Sequence, residues 1–170
     1  KNLKVYENIN FLAYGRLLLP QIINEERVLY LDCDVFIRAD VQELFEIDLQ
    51  HYAFAAVQDL GCLTVSDPIY GIKNYKVLGL PPTQPYCNSG VLLMDLQIFR
   101  AEMIGERVIE YVATHKDVVQ WCDQDGLNAV AGTRWLALDA RWNSLIDNLK
   151  TLNWSEGKVE QKLLKPFQTE

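Results

Sequence analysis

An α/β fold, with helices packed on a mainly parallel central sheet, is what this sequence predicts. Three observations lead there. Short uninterrupted apolar runs alternate with stretches in which apolar residues recur at helical spacing. The runs are five to eight residues long and end abruptly in polar or glycine-containing turns, as buried strands do. The composition, 49% hydrophobic and 23% charged over 170 residues, is that of a globular chain able to bury a core.

Taken in order, Asn10 to Ile23 carries Phe11, Tyr14, Leu17, Leu18 and Ile22 on one helical face, and Pro20 bends or stops that helix near its end. Arg27-Val28-Leu29-Tyr30-Leu31 reads as a buried parallel strand that stops at Asp32-Cys33-Asp34. Asp40 to Phe45 reads as a short helix with Asp40 as its N-cap. Tyr52 to Val57 predicts a second strand. Residues 59–85, rich in glycine and proline, form a long loop of the functional or mobile kind. A third strand is predicted within Cys87 to Leu96. Helical spacing follows at Phe99, Met103, Ile104, Val108 and Val112, then a helix over Asp123 to Val130 and a strand over Trp135 to Leu138.

Several function classes drop out on composition. A net charge of −7, from 16 basic and 23 acidic residues, lacks the cationic footprint of a nucleic-acid binder. There is no lysine-rich patch for anionic lipid and no apolar run of the roughly 20 residues that span a bilayer. Membrane association is therefore expected only through segments outside these residues. Cys33, Cys62, Cys87 and Cys122 form no CxxC pair, and with only His51 and His115 beside them a structural zinc site is not expected. Reduced thiols in a cytoplasmic protein are the default reading. Neither GxGxxG nor GxxxxGK[ST] occurs, so any nucleotide phosphate must be held another way.

The acidic tip of the first strand offers such a way. Residues i and i+2 of extended backbone point to the same side, which would pair Asp32 with Asp34 at the carboxyl end of a buried strand. Two hard oxygen donors there suit Mg2+ or Mn2+, and a divalent cation offsets the charge of a departing diphosphate. Two other readings compete. Aspartates after a strand also cap helices, and Leu31-Asp32-Cys33-Asp34-Val35 matches the first motif of haloacid-dehalogenase-like phosphatases, with Asp32 as nucleophile. The second motif of that family, GDxxxD, is not what Asp123-Gln124-Asp125-Gly126 spells.

Four segments in order resemble one family. They are Ala13-Tyr14-Gly15-Arg16-Leu17-Leu18-Leu19-Pro20, Val28 to Asp34, Tyr86-Cys87-Asn88-Ser89-Gly90-Val91-Leu92-Leu93-Met94, and Asp123-Gln124-Asp125 with Leu127-Asn128. Together they resemble the YxRLxxP, DxD, FNxGVLL and DQDxLN elements of glycosyltransferase family 8, over about residues 10 to 145. The resemblance implies a GT-A type nucleotide-sugar-binding fold, of which 1–170 is a single partial catalytic domain truncated at both ends. It implies a UDP-hexose donor, a glycan or lipid-linked saccharide acceptor as in lipopolysaccharide synthesis, Mn2+ (or Mg2+) and retention at the anomeric carbon. The expected setting is the cytoplasm, peripheral to the inner face of the membrane.

Residue by residue, the resemblance gives Asp32 and Asp34 to the metal, with Cys33 between them in the donor site. Arg16 would reach the donor sugar or its phosphate, where a guanidinium forks onto two oxygens. Asn88 and Ser89 would meet sugar hydroxyls. Asp123 would hold the transferred hexose unless it serves as a helix N-cap, and Gln124 would lie behind the anomeric carbon with Asp125 beside it. Arg141-Trp142-Asn143 resembles an RxN element on the acceptor side, where Trp142 either stacks on a sugar or packs as ordinary core. Two departures stand out. The family's upstream nucleotide-binding strand is absent, and the HxxGxxKPW element is missing near Leu164-Lys165-Pro166-Phe167, with Val159 and Lys162 where its His and Gly would stand. A non-catalytic sugar- or nucleotide-binding module is the reading that loss would favour.

Overall fold

The computed structural model describes residues 11–144. Val159, Lys162 and the Leu164 to Phe167 segment lie outside the described residues. A 3₁₀ helix, Phe11–Leu18, runs into a short α-helix, α1 (Leu19–Ile22). Pro20 sits in the first turn of α1, where a missing N–H costs nothing. Strand β1 (Arg27–Leu31) follows, then α2 (Val41–Phe45), capped by Asp40 accepting from the Gln42 N–H. Next come β2 (Phe54–Gln58) and β3 (Cys87–Asp95). The predicted single helix after β3 is two, α3 (Leu96–Ala101) and α4 (Ile104–Thr114), broken at Met103, whose φ is 50°. The chain then forms α5 (Cys122–Ala131), β4 (Leu136–Ala137) and a 3₁₀ turn, Ala140–Trp142.

The α/β class and the open sheet agree with expectation, but the strand directions do not. The sheet order is β1-β3-β2-β4, with β3 antiparallel to both β1 and β2, and only β2 and β4 parallel. The reason lies in burial. Along β1, β2 and β3, alternate residues enter two different apolar clusters. Val28, Tyr30, Phe54, Ala56, Leu92 and Met94 face the helices, while Leu29, Ala55 and Leu93 pack with Leu49 and Ile47 on the other face. Apolar cover on both faces yields an unbroken hydrophobic run whichever way the strand points.

Three strands thus share one direction and β3 opposes them. That reversal brings the carboxyl ends of β1 and β2 to the same sheet edge as the start of β3. Had β3 been parallel, Asn88 and Ser89 would lie at the far edge from Asp32. The loop 59–85 is not loosely draped. Cys62, Val65 and Ile72 bury around Tyr86 as a small core of their own, and Thr64 bridges Pro85.

Candidate functional site

The site is assembled where β1 and β2 end, β3 begins and α5 starts. Its placement relies on Asn128, fully buried on α5. The Asn128 carboxamide accepts from the Cys87 N–H at 2.7 Å and donates to the Cys87 carbonyl at 2.9 Å. It substitutes for a strand neighbour and pins the middle of α5 against the first residue of β3. Asp125 secures the approach to α5. Its carboxylate accepts from the Tyr86 hydroxyl at 2.6 Å and from the backbone N–H groups of Gln120 and Trp121 at 2.6 and 3.0 Å. The residue is buried, and both oxygens bond to the protein, so Asp125 holds the approach to α5 beside Gln124. Asp123 is not the N-cap of α5 either; Trp121 is, and Asp123 lies in the first turn.

Arg16 draws the other elements in. Only 5% exposed, it pairs through Nη2 with Asp32 Oδ1 at 2.9 Å, donates through Nη1 to the Ser89 carbonyl, and lies with Nε 3.0 Å from Asp123 Oδ2. Its guanidinium covers the Tyr30 ring, 4.4 Å from the centroid. The Nε hydrogen goes to the Ala13 carbonyl, so Asp123 Oδ2 is charge-paired without accepting a hydrogen bond. Burial outweighs the arginine here, and the Asp123 carboxyl is pushed up to about 6. Arg16, expected to reach a donor, joins three elements of the protein at this edge.

Asp32 follows β1, its backbone N–H on the Gly90 carbonyl at 2.8 Å. Oδ1 receives both Arg16 and, at 2.7 Å, the Tyr30 hydroxyl; burial and this carboxylate push the Tyr30 phenol well above its ordinary range. Oδ2 faces Gly90. A Cβ there would stand 3.1 Å from Asp32 Oδ2, 3.1 Å from Asn88 Oδ1 and 3.6 Å from Asn143 Nδ2, so the missing side chain keeps a polar cradle open. Cys33 and Asp34 lie in a turn closed by the Val35 N–H on the Asp32 carbonyl, and both are exposed. The extended-backbone argument for pairing Asp32 with Asp34 therefore does not describe this segment.

For a divalent ion the donor chemistry fits: Asp32 Oδ2 and the Asp34 carboxylate are hard oxygens, and Mg2+-like ions take one or two carboxylates and complete their shell with water and phosphate. Among the described residues no group of three His, Cys, Asp or Glu is placed to hold a metal.

The amides complete the edge. Gln124 accepts through Oε1 from the Ser89 N–H at 2.9 Å and donates through Nε2 to Asp59 Oδ2 at 3.2 Å. Asn88 donates to the same Asp59 oxygen at 2.9 Å and accepts from the Gly90 N–H and from Asn143 Nδ2 at 2.8 and 2.7 Å. Asn143 thus joins the site. Arg141 and Trp142 turn aside: the Arg141 guanidinium stacks on the half-buried Trp142 ring and lies 3.7 Å from Glu43 on α2. Asp59 was not foreseen. The rule that singled out Asp32, an acid directly after a buried strand, applies equally to Asp59 after β2 and would have found it. A concavity of about 520 Å3, mostly apolar, lies elsewhere, along β1 and α2 between Arg27 and Phe45. Its lining has no counterpart to the converging polar groups of the sheet edge.

The model of the family described as Glycosyl transferase family 8 matches residues 1–166, further at both ends than the motifs alone reach. The chain belongs to glycosyl transferase family 8. This membership leaves the phosphatase reading without support. Among curated relatives, General stress protein A of Bacillus subtilis is 33% identical over 137 residues, 78% of this chain and 45% of that protein. Glycosyltransferase GlyF of Streptococcus pneumoniae is 32% identical over 84% of this chain and 32% of its own length. The chain thus spans less than half the length of either relative. Among solved structures, galactosyltransferase LgtC in complex with donor and acceptor sugar analogs superposes with a TM-score of 0.76 at 26% identity, covering 99% of this chain and 59% of that one. The Streptococcus pneumoniae glycosyltransferase GlyE, at 22% identity and a TM-score of 0.67, shares the fold. No helix among the described residues is long and apolar enough to cross a membrane.

Proposed function

We propose that this family 8 protein is a retaining glycosyltransferase that moves a hexose from a UDP-sugar to a glycan or lipid-linked acceptor with the help of Mn2+ or Mg2+. The observation that carries the reading is the convergence of Asp32, Asn88, Ser89, Asp123 and Gln124 on one sheet edge, in a chain whose family is that of sugar transferases. Likeness to LgtC, solved with donor and acceptor sugar analogs, supports a nucleotide-sugar donor and a saccharide acceptor. A lipopolysaccharide-type acceptor and a cytoplasmic setting belong to the same reading.

Asp32 and Asp34 would hold the cation, which when bound offsets charge on the departing diphosphate. The protein's own groups do the rest. Asp123, buried and raised to about 6, offers a carboxyl that exchanges hydrogen bonds with hexose hydroxyls at little desolvation cost, since it is already out of water. Asn88 and Ser89 line the floor beside Gly90. Double displacement needs a free carboxylate behind the anomeric carbon. Gln124 is an amide, its carboxylate neighbours Asp59 and Asp125 have both oxygens committed to protein donors, and Asp123 is held in a buried ion pair with Arg16. These features favour front-face substitution: the glycosyl–phosphate bond breaks with its electron pair leaving on UDP. The acceptor oxygen then bonds the anomeric carbon on the same face, and its proton passes to the departing phosphate oxygen.

The test is a panel of UDP-sugars with the full-length protein, with and without Mn2+, the anomeric configuration of the product being read by NMR. Metal-dependent transfer with retention from one UDP-hexose is expected. Inertness toward every UDP-sugar in the presence of acceptor glycans and metal would refute the proposal.

A further inference from the structure

We infer that Asp59 is a positioning residue that sets the orientation of both site amides, Asn88 and Gln124. A primary carboxamide can be flipped to exchange its oxygen and nitrogen, and the two forms present opposite hydrogen-bonding faces to a substrate. An ionised carboxylate accepts only, so it selects the form with nitrogen toward it. Asp59 does this twice with one atom: Oδ2 receives Asn88 Nδ2 at 2.9 Å and Gln124 Nε2 at 3.2 Å.

The far ends of the two amides agree with that choice. Asn88 Oδ1 accepts from the Gly90 N–H and Gln124 Oε1 from the Ser89 N–H, so each oxygen meets a backbone donor that a flip would set against NH2. Asp59 itself cannot turn. Oδ1 accepts from the Gly61 and Cys62 N–H groups at 2.7 and 3.1 Å, and its own N–H is bonded to the Tyr86 carbonyl. The carboxylate is 9% exposed and its four acceptor positions are taken, which leaves none for a substrate. Asp59 therefore acts through the amides and not on the sugar.

This inference rests on the transferase reading for its kinetic consequence but not for its geometry, and the experiment separates the two. Asp59→Asn keeps shape and the Oδ1 contacts to Gly61 and Cys62 but sets NH2 against the nitrogens of both amides. In the full-length protein, the side-chain 1H–15N resonances of Asn88 and Gln124 are expected to shift or broaden. The kcat is expected to fall about hundredfold with donor KM within about threefold, the cost of a misaligned reacting geometry. Asp59→Glu keeps the charge but displaces the carboxylate by one methylene, and gives a second, folded test should the asparagine variant be unstable; the same resonances and kcat respond. Unchanged side-chain amide resonances in both variants overturn the orienting role whatever the activity. Shifted resonances with unchanged kcat overturn its importance to the reaction. A wild-type protein without turnover refutes the transferase reading alone, while the spectra still decide the geometry.

Discussion

The two halves of β3 show two ways in which one strand can be held. From Val91 to Met94 every side chain is buried, with Leu92 and Met94 in the helix-facing cluster and Leu93 in the opposite one. From Cys87 to Gly90 the same strand is held by directed hydrogen bonds, to Asn128, Asp59, Gln124 and Arg16. The apolar half tolerates exchange of one hydrophobe for another of like volume. The polar half does not, because a buried donor or acceptor that loses its partner bears the desolvation penalty unrelieved. Stability is therefore distributed along the apolar half and concentrated in a few bonds along the polar one, and those bonds also shape the candidate site.

Substitutions at the polar end can break or sharpen that contrast. The largest effect is expected from Asp32→Asn: transfer should fall by more than the roughly 10–100-fold typical of residues that only support a metal ligand, as steady-state kinetics at saturating Mn2+ will show. Asn128→Ala strips the Cys87 N–H and carbonyl of their partners and should cost roughly 3 kcal/mol in chemical denaturation, whereas Leu93→Met at the apolar end should cost less than about 1.5 kcal/mol. Equal losses would erase the distinction.

Asp123 makes the contrast pH-dependent. Its folded carboxyl, raised from 3.8 to about 6 by burial, binds a proton that the unfolded chain has already released. The stabilisation is full below pH 4 and is lost as pH rises through 6, a change of about 3 kcal/mol by linkage. Urea unfolding between pH 4 and 7 should show this decline in the wild type and not in Asp123→Asn. A smaller effect is expected from Tyr30→Phe, which removes one of the two donors on Asp32 Oδ1. Mn2+ binding measured by calorimetry should weaken about tenfold, the low end for a supporting residue, with the fold unchanged.

What the residues disclosed in advance follows the same division. Apolar spacing placed β1, β2, β3 and α5 within a residue or two, because burial writes a period into the chain. It could not give direction, since two covered faces look alike either way, and the mainly parallel sheet expected is interrupted by β3, which runs against β1 and β2. Family motifs located Asp32, Asn88, Ser89, Asp123 and Gln124, and the fold brings all five together. They did not disclose the internal contacts that Arg16 and Asp125 make, which differ from those of the other five. Those differences depend on which partner each charged oxygen or nitrogen finds across the fold, at separations such as Arg16 to Ser89 or Tyr86 to Asp125 that no local pattern records. Asp59 is open to the same acid-after-strand rule as Asp32, but its bonds to both amides were hidden for the same cause: those partners lie 29 and 65 residues away.

The central claim is that the meeting of strand ends at one sheet edge forms the donor site. Backbone amide NMR of the full-length protein, titrated with UDP and Mn2+, tests it most directly. Shifts concentrated at 32–34, 88–90 and 123–124 are the expected result. Shifts confined to the apolar concavity between Arg27 and Phe45, with Asp32, Ser89 and Gln124 silent, would contradict it.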